Sequence, residues 1–197
     1  PKELGGAGGA TVAKELQGKF EVTTLEAGHD FRPFSWTLPR LEQFKRTGLL
    51  FDERLIRFFF PTMNIRKTAD GMTLVRGIGV GGTTTIATGN GLRMDQGLRA
   101  IGINLDAEFA ELCHEIPIST SHQSKWREVT TELFEICQEL NLNPFPAPKM
   151  GTHQNCVHCG RCMFGCPAGV KWDSREFVAV ALEKGARLLT GCRVERV

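Results

Sequence analysis

The sequence lacks an excess of charge of either sign, and it lacks any apolar run long enough to cross a bilayer. Among its 197 residues, 24 Lys and Arg stand against 22 Asp and Glu, without a long run of either sign. This balance indicates neither a nucleic-acid groove nor an anionic membrane surface. The longest apolar stretches, near 49–60 and 177–182, are interrupted by charges and fall short of the ~20 residues that a transmembrane helix needs. We therefore expect no nucleic-acid partner and no transmembrane segment.

Internal repeats, low-complexity segments and a signal-peptide pattern are missing as well. The chain opens on Pro1 and closes at Val197 within an apolar alternation, so we expect neither end to be a natural terminus. With 41% hydrophobic residues, a chain of this length can bury one ordinary core. The composition therefore predicts a globular domain, or one domain and a small part of another.

Seven cysteines are present, and their distribution is uneven. Cys113, Cys137 and Cys192 are isolated, and we expect them to be ordinary buried cysteines. The remaining cysteines all lie between positions 156 and 166. Such crowding is typical of metal ligation and not of a disulfide framework, which favours a reducing compartment. We therefore expect a cytoplasmic protein.

Apolar periodicity and glycine positions predict alternating helices and strands. A glycine-rich turn precedes a helix over 10–16 and a strand over 20–25, which read as the second half of a βαβ unit whose first strand is missing. Residues 31–73 have no clean period, so short helices and loops are predicted there. Further helices are predicted over 105–115, 124–140 (capped by Ser121 or Ser124) and 174–184, and further strands over 72–75, 187–190 and 193–197. The predicted fold class is therefore α/β.

The first glycine-rich turn has the features of a dinucleotide site. Such a site needs a tight glycine turn, a helix whose N-terminal amides meet the pyrophosphate, and an acid about 20 residues further on for the ribose. Gly6, Gly8 and Gly9 precede the first helix, and Glu26 closes the next strand. Leu4 stands where the full glycine pattern has its first glycine. A simple glycine loop before a surface helix therefore remains an alternative.

Several glycine-rich segments together resemble the glucose-methanol-choline (GMC) oxidoreductases in order and spacing. These segments are 6–16, 25–28, 77–84, 165–171 and 185–190. The resemblance implies a Rossmann-like, FAD-binding fold of the glutathione-reductase type. It puts Gly6, Gly8 and Gly9 at the pyrophosphate, Glu26 at the adenosine ribose, Gly81, Gly82 and Thr83 beside the flavin, Asn90 near the flavin in a displaced register, and the backbone of Val194 at the adenine.

In the resembled family, the catalytic histidine and most of the substrate domain lie in a C-terminal part, beyond the segments that match. We therefore expect a fragment that lacks the first strand and the C-terminal substrate domain, and that is inactive by itself. No catalytic residue is assigned from the sequence. The expected partners are a small-molecule substrate, the remaining C-terminal part or a partner subunit, and an electron acceptor that is a protein or a quinone.

A second motif has the spacing C-x2-C-x2-C-x3-C-P of bacterial ferredoxins. Its cysteines are Cys156, Cys159, Cys162 and Cys166. The spacing predicts one iron-sulfur cluster, of the [4Fe-4S] type if Cys166 completes it. In two-cluster ferredoxins the fourth cysteine ligates the other cluster, so an outside ligand or a [3Fe-4S] cluster stays open. A zinc site is the weaker alternative, because zinc knuckles are usually separated by a longer insert.

A flavin that accepts hydride and a cluster that passes single electrons would together connect substrate chemistry to an electron carrier. The sequence therefore predicts an FAD-dependent dehydrogenase acting on CH-OH donors, with the cluster relaying electrons outward. The reverse reduction of a carbonyl or activated alkene fits equally well. An electron-transfer subunit without a substrate site and a cluster-stabilised scaffold without FAD also remain open. The predicted regions are 1–152 for FAD binding, 153–173 for the cysteine loop, and 174–197 for a helix and strands returning to the FAD-binding domain.

Overall fold

The computed structural model describes residues 6–30 and 62–196. Within these ranges the helices are Ala7–Leu16 (α1), Gln96–Ala100 (α2), Asp106–Glu115 (α3), Glu128–Glu139 (α4) and Arg175–Glu183 (α5). The strands are Thr23–Leu25 (β1), Met63–Lys67 (β2), Thr73–Gly77 (β3), Ile118–Ser119 (β4), Lys149–Met150 (β5) and Arg187–Leu189 (β6). Short 3-10 turns lie at Gly82–Thr85, Ser121–Lys125, His153–Asn155 and Cys162–Phe164. The fold of the described ranges is therefore mixed α/β with small sheets, whereas its Rossmann-like type stays a prediction.

The chain forms two compact units. Unit 1 comprises Pro1–Thr88, Cys159–Pro167 and Asp173–Val197, and unit 2 comprises Gly89–His158 and Ala168–Trp172. The regions predicted from the motifs, 1–152, 153–173 and 174–197, are defined by sequence and not by compactness. This division stays a prediction. Among the described helices, none is long and apolar enough to span a membrane.

Unit 1 contains a parallel strand pair with two helices. Strands β1 and β6 pair in parallel, with Thr24 opposite Leu188, and α1 packs against α5. The small side chains of Ala13, Ala181 and Ala186 form a buried cluster there. Small side chains allow the backbones of packed elements to approach closely. Because the strands are parallel, their carboxyl ends meet at one edge, which is where ligands bind in open α/β sheets.

Unit 2 contains the antiparallel β4–β5 pair and helices α2, α3 and α4. Its polar anchor is Asp95, which is 5% exposed and accepts hydrogen bonds from Arg93 and Arg99. The Arg93 guanidinium lowers the pKa of Asp95 to about 2. On α4, the predicted apolar face faces solvent, with Val129 74% and Leu133 61% exposed. The helix therefore forms as its periodicity predicts, although that face is uncovered.

Several predicted elements are confirmed. Helices α1, α3 and α5 and strands β3 and β6 lie where the apolar periodicity predicts them. Gly185 follows the C-terminus of α5 with a φ of 96°, a left-handed conformation that glycine adopts without a steric penalty. These elements are specified by local signals, which is why sequence reasoning finds them.

Other element predictions are wrong. Residues 63–67, predicted as loop or short helix, form β2, because a hairpin with β3 pairs their backbone groups. Residues 193–196 form no strand, although the alternation of apolar residues predicts one. The segment predicted to be irregular covers 31–73, and its residues 31–61 lie outside the described residues. Strand formation thus depends on a partner strand that the local pattern does not reveal.

The predicted cap of α4 and the burial of the isolated cysteines also need correction. The helix begins at Glu128 without a side-chain cap, and Ser121 and Ser124 belong to the preceding 3-10 turn. Cys113 is exposed and not buried, while Cys137 and Cys192 are half-buried. A serine ahead of a helix therefore does not by itself fix where the helix starts.

Candidate functional site

The N-terminus of α1 carries the first group of predicted site residues. Gly6 is the N-cap residue of α1, and its carbonyl accepts the Ala10 N–H at 2.9 Å. Helix N-termini leave backbone N–H groups without partners inside the helix, and these carry partial positive charge. A Cβ added to Gly6 or Gly8 would meet no heavy atom within 4 Å. Since neither has a left-handed φ, the described fold does not itself require glycine at these two positions.

Glu26 follows β1 and is completely buried. Its Oε1 accepts the Gly28 N–H at 2.7 Å, which folds the side chain back over the chain's own turn. Its backbone N–H donates to the Leu189 carbonyl at 2.9 Å, and its carbonyl accepts the Cys192 N–H at 2.9 Å. The structure thereby places Glu26 beside the segment after β6. Val194, two residues further on, is half-buried and in irregular backbone.

Two backbone segments cross in contact next to Glu26. A Cβ on Gly28 would lie 2.6 Å from the Gly79 nitrogen and 2.8 Å from the Ile78 carbonyl carbon. The Val80 N–H donates to the His29 carbonyl at 3.2 Å across the same crossing. Only a residue without a side chain allows this approach, so glycine is required at Gly28 for packing.

We predict that Gly28→Ala destabilises the protein by ~1–3 kcal/mol, because the added methyl group meets backbone atoms that cannot rotate away. Gly8→Ala is the matched control, since the same methyl group enters open space there and alanine favours helix by ~1 kcal/mol. Urea unfolding of the FAD-free protein measures both. Equal midpoints for the two variants would contradict the close approach.

The second glycine segment lies next to α1. Gly81 has a φ of 91° and Gly82 a φ of 51°; Gly81 directly precedes the 3-10 turn Gly82–Thr85, and Gly82 is its first residue. This turn lies beside α1. Gly81 and Gly82 are buried, whereas Thr83 is exposed and its Oγ1 accepts the Gly77 N–H at 3.2 Å. The structure therefore brings both glycine segments together within unit 1.

Asn90 is in unit 2 and lies in an isolated bridge with Lys149. Its Oδ1 accepts a hydrogen bond from the Lys149 ammonium group. The structure therefore assigns Asn90 a partner in its own unit, and its role toward a flavin stays a prediction.

Sequence reasoning missed three polar residues after the cysteine motif, namely Asp173, Ser174 and Arg175. Asp173 is 4% exposed, and it holds Arg175 through two hydrogen bonds of 2.7 and 2.8 Å. This carboxylate raises the pKa of the Arg175 guanidinium. Ser174 is completely buried and contacts the second glycine segment. The only sequence signal for them is their position at the start of α5, where polar residues usually serve as caps.

The cysteines of the ferredoxin-like motif are partly buried. The His158 N–H points to the Cys156 sulfur at 3.4 Å, and His158 and Gly160 have φ values of 52° and 68°. Amides directed at sulfur are a feature of iron-sulfur sites. Across 6–30 and 62–196, however, no three His, Cys, Asp or Glu side chains stand together in a way that could hold a metal ion. The donor chemistry therefore suits a cluster, but the described arrangement does not gather the donors.

A glycine-rich helix N-terminus and a buried acid after a parallel strand are typical of dinucleotide-binding α/β proteins. A family profile described as GMC oxidoreductase matches residues 4–197, and the chain belongs to this family. The long-chain-alcohol oxidase FAO4B of Arabidopsis thaliana is 27% identical over an alignment that covers 98% of this chain. The chain spans about a quarter (25%) of that relative's length. No solved structure gives a significant match.

Proposed function

We propose that this chain forms the FAD-binding part of an oxidoreductase that oxidises an alcohol by hydride transfer to the flavin. The observation that carries the proposal is the meeting of α1, the Gly82–Thr85 turn and β1 in unit 1. Family membership supports FAD as the cofactor. The alcohol-type substrate is supported by the name of the Arabidopsis relative, a long-chain-alcohol oxidase.

The positions of the predicted residues support the following proposed roles. The open space around Gly6 and Gly8 suits close approach of the pyrophosphate to the first turn of α1. Gly9 is the next residue of this turn. Glu26 would serve the adenosine ribose, since it directly follows the carboxyl end of β1, and the backbone at Val194 would serve the adenine, since it lies in the segment after β6. Further contacts with the flavin are proposed for Gly81, Gly82, Thr83 and Asn90.

FAD, when bound, supplies a two-electron acceptor for hydride. The contribution of this chain is to bind and orient that group through backbone amides and to exclude water from its buried side. The residue that takes the hydroxyl proton of the substrate is not assigned within these residues. We also propose that the protein passes its electrons to a protein or a quinone and that it is located in the cytoplasm. A further part of the enzyme or a partner subunit would complete it.

We further propose that Cys156, Cys159, Cys162 and Cys166 bind an iron-sulfur cluster, a [4Fe-4S] cluster or, with three thiolates, a [3Fe-4S] cluster. The ferredoxin spacing and the amide directed at the Cys156 sulfur support this. When bound, the cluster would supply single-electron transfer to an outside protein or quinone.

We predict that the purified full-length protein contains about one FAD per chain and that anaerobic addition of a long-chain primary alcohol bleaches the flavin absorption. The fatty acid of the same length is the control, because it has the chain but no oxidisable CH-OH group. Absence of FAD would refute the proposed function. Flavin that is bound but is reduced only by dithionite would support an electron-transfer subunit instead.

A further inference from the structure

Ser174 makes a buried contact that the FAD-binding motifs do not include. It is the residue before α5 and has no exposed surface. Its hydroxyl donates to the Gly81 carbonyl at 3.0 Å, and its backbone N–H donates to Thr84 Oγ1 at 3.0 Å. All three residues are part of unit 1. The start of α5 is therefore tied directly to the second glycine segment.

The Gly81 carbonyl is held by two hydroxyl groups. Thr84 Oγ1 donates to it at 2.6 Å, and Ser174 Oγ lies at 3.0 Å from both this carbonyl and Thr84 Oγ1. Each hydroxyl has one proton, so with the Thr84 proton on the carbonyl, the Ser174 proton is shared between the carbonyl and the Thr84 oxygen. Replacing Ser174 by a residue without a hydroxyl therefore removes one hydrogen-bond partner from the Gly81 carbonyl and one from Thr84 Oγ1.

The conformation of this turn depends on such support. Gly81 has a left-handed φ of 91°, and a Cβ there would lie 2.5 Å from Thr85 Cγ2 and 2.8 Å from Arg175 Cγ. These distances leave no room for a side chain at position 81, so no side chain at this position can anchor the turn. Its orientation is set by two hydroxyls that bind its carbonyl, one from Thr84 in the same turn and one from Ser174 at the start of α5.

We propose that Ser174 is a positioning residue for the flavin, acting through the Gly81 peptide. This inference rests on the proposed function, in which 81–83 lie beside the flavin. The Ser174 hydroxyl acts together with Thr84 Oγ1 and with the bond from the Gly82 N–H to the Gly79 carbonyl to hold the Gly81 peptide, and with it the backbone beside which the flavin would lie. Without this hydroxyl the peptide keeps the bonds from Thr84 Oγ1 to its carbonyl and from its Gly82 N–H to the Gly79 carbonyl, but it loses the bond that ties it to the start of α5. The flavin is then held less tightly.

The test compares Ser174→Ala with the unsubstituted full-length protein. We expect the FAD dissociation constant to rise about tenfold, as for the loss of one buried hydrogen bond, and the absorption of the bound flavin to become more like that of free FAD. The control is Ser119→Ala in unit 2, which breaks a comparable hydroxyl pair at 2.8 Å with Ser121. We expect this control to change the unfolding midpoint without changing FAD affinity.

A second pair of variants covers the case in which Ser174→Ala does not fold. Thr84→Val removes the partner hydroxyl at nearly constant volume, whereas Thr84→Ser keeps it. We expect weaker FAD binding in Thr84→Val and near-normal binding in Thr84→Ser. If the folded variants bind FAD as tightly as the unsubstituted protein, the positioning role is wrong and the contact is only structural. If the unsubstituted protein binds no FAD, the proposed function fails first and this inference with it.

Discussion

Gly8→Leu is expected to abolish FAD retention while leaving the fold intact. The leucine side chain would fill the space in front of the first turn of α1, where the pyrophosphate needs direct access to backbone N–H groups. A Cβ at Gly8 meets no heavy atom of the protein within 4 Å. We expect FAD affinity to fall at least about a hundredfold, or ~2.7 kcal/mol. The folded state without FAD should gain ~0.8 kcal/mol, since leucine is a better helix former than glycine.

Gly97→Leu is the matched control for this variant. Gly97 is also helical, in α2, and also has open space around its Cα, but it belongs to unit 2. Flavin fluorescence after heat release measures the FAD content, and urea unfolding measures stability. Full FAD occupancy in Gly8→Leu would show that α1 does not bind the pyrophosphate.

Cys159→Ala is expected to remove the iron-sulfur cluster and leave FAD bound. Cys159 is the second donor in the motif, and no spare cysteine lies inside the motif to replace it. Anaerobically prepared protein should contain about four iron and four acid-labile sulfide per chain, or about three iron for a [3Fe-4S] cluster. The variant should contain neither, and its delivery of electrons to a one-electron acceptor should be lost.

The corresponding control is Cys113→Ala, because Cys113 is an exposed cysteine outside the motif. We expect this variant to keep its iron and sulfide. Zinc without sulfide in the unsubstituted protein would overturn the cluster and favour the zinc alternative. Iron that survives in Cys159→Ala would place the ligands elsewhere.

Local signals were sufficient for much of unit 1. The run that begins at Gly6 predicts α1, and the β-rich residues that end in Glu26 predict β1, because both depend on the backbone preferences of neighbouring residues. The same reasoning failed for 63–67, which form β2 only through pairing with β3. The alternation of apolar residues predicts a strand over 193–197, but the described part of it, 193–196, forms none.

The hydroxyl contact between Thr84 and Ser174 was beyond sequence reasoning for a different cause. The two residues are 90 positions apart, and a single buried serine produces no periodic pattern. The requirement for glycine at Gly28 is similar, because it arises from the backbone of 78–79 and not from its own neighbours. Contacts of this kind appear only when the chain has folded.

The sequence by itself determined the local elements, the order of the glycine segments and the spacing of the cysteines. Each of these depends on residues close together in the chain, where steric limits and short-range hydrogen bonds decide the backbone conformation. The tertiary structure decided that β1 pairs with β6, that Gly28 lies against Gly79, and that the start of α5 supports the Gly81 turn. These contacts close long loops, and their entropy cost is offset only by the packing of the whole unit, which no local segment encodes.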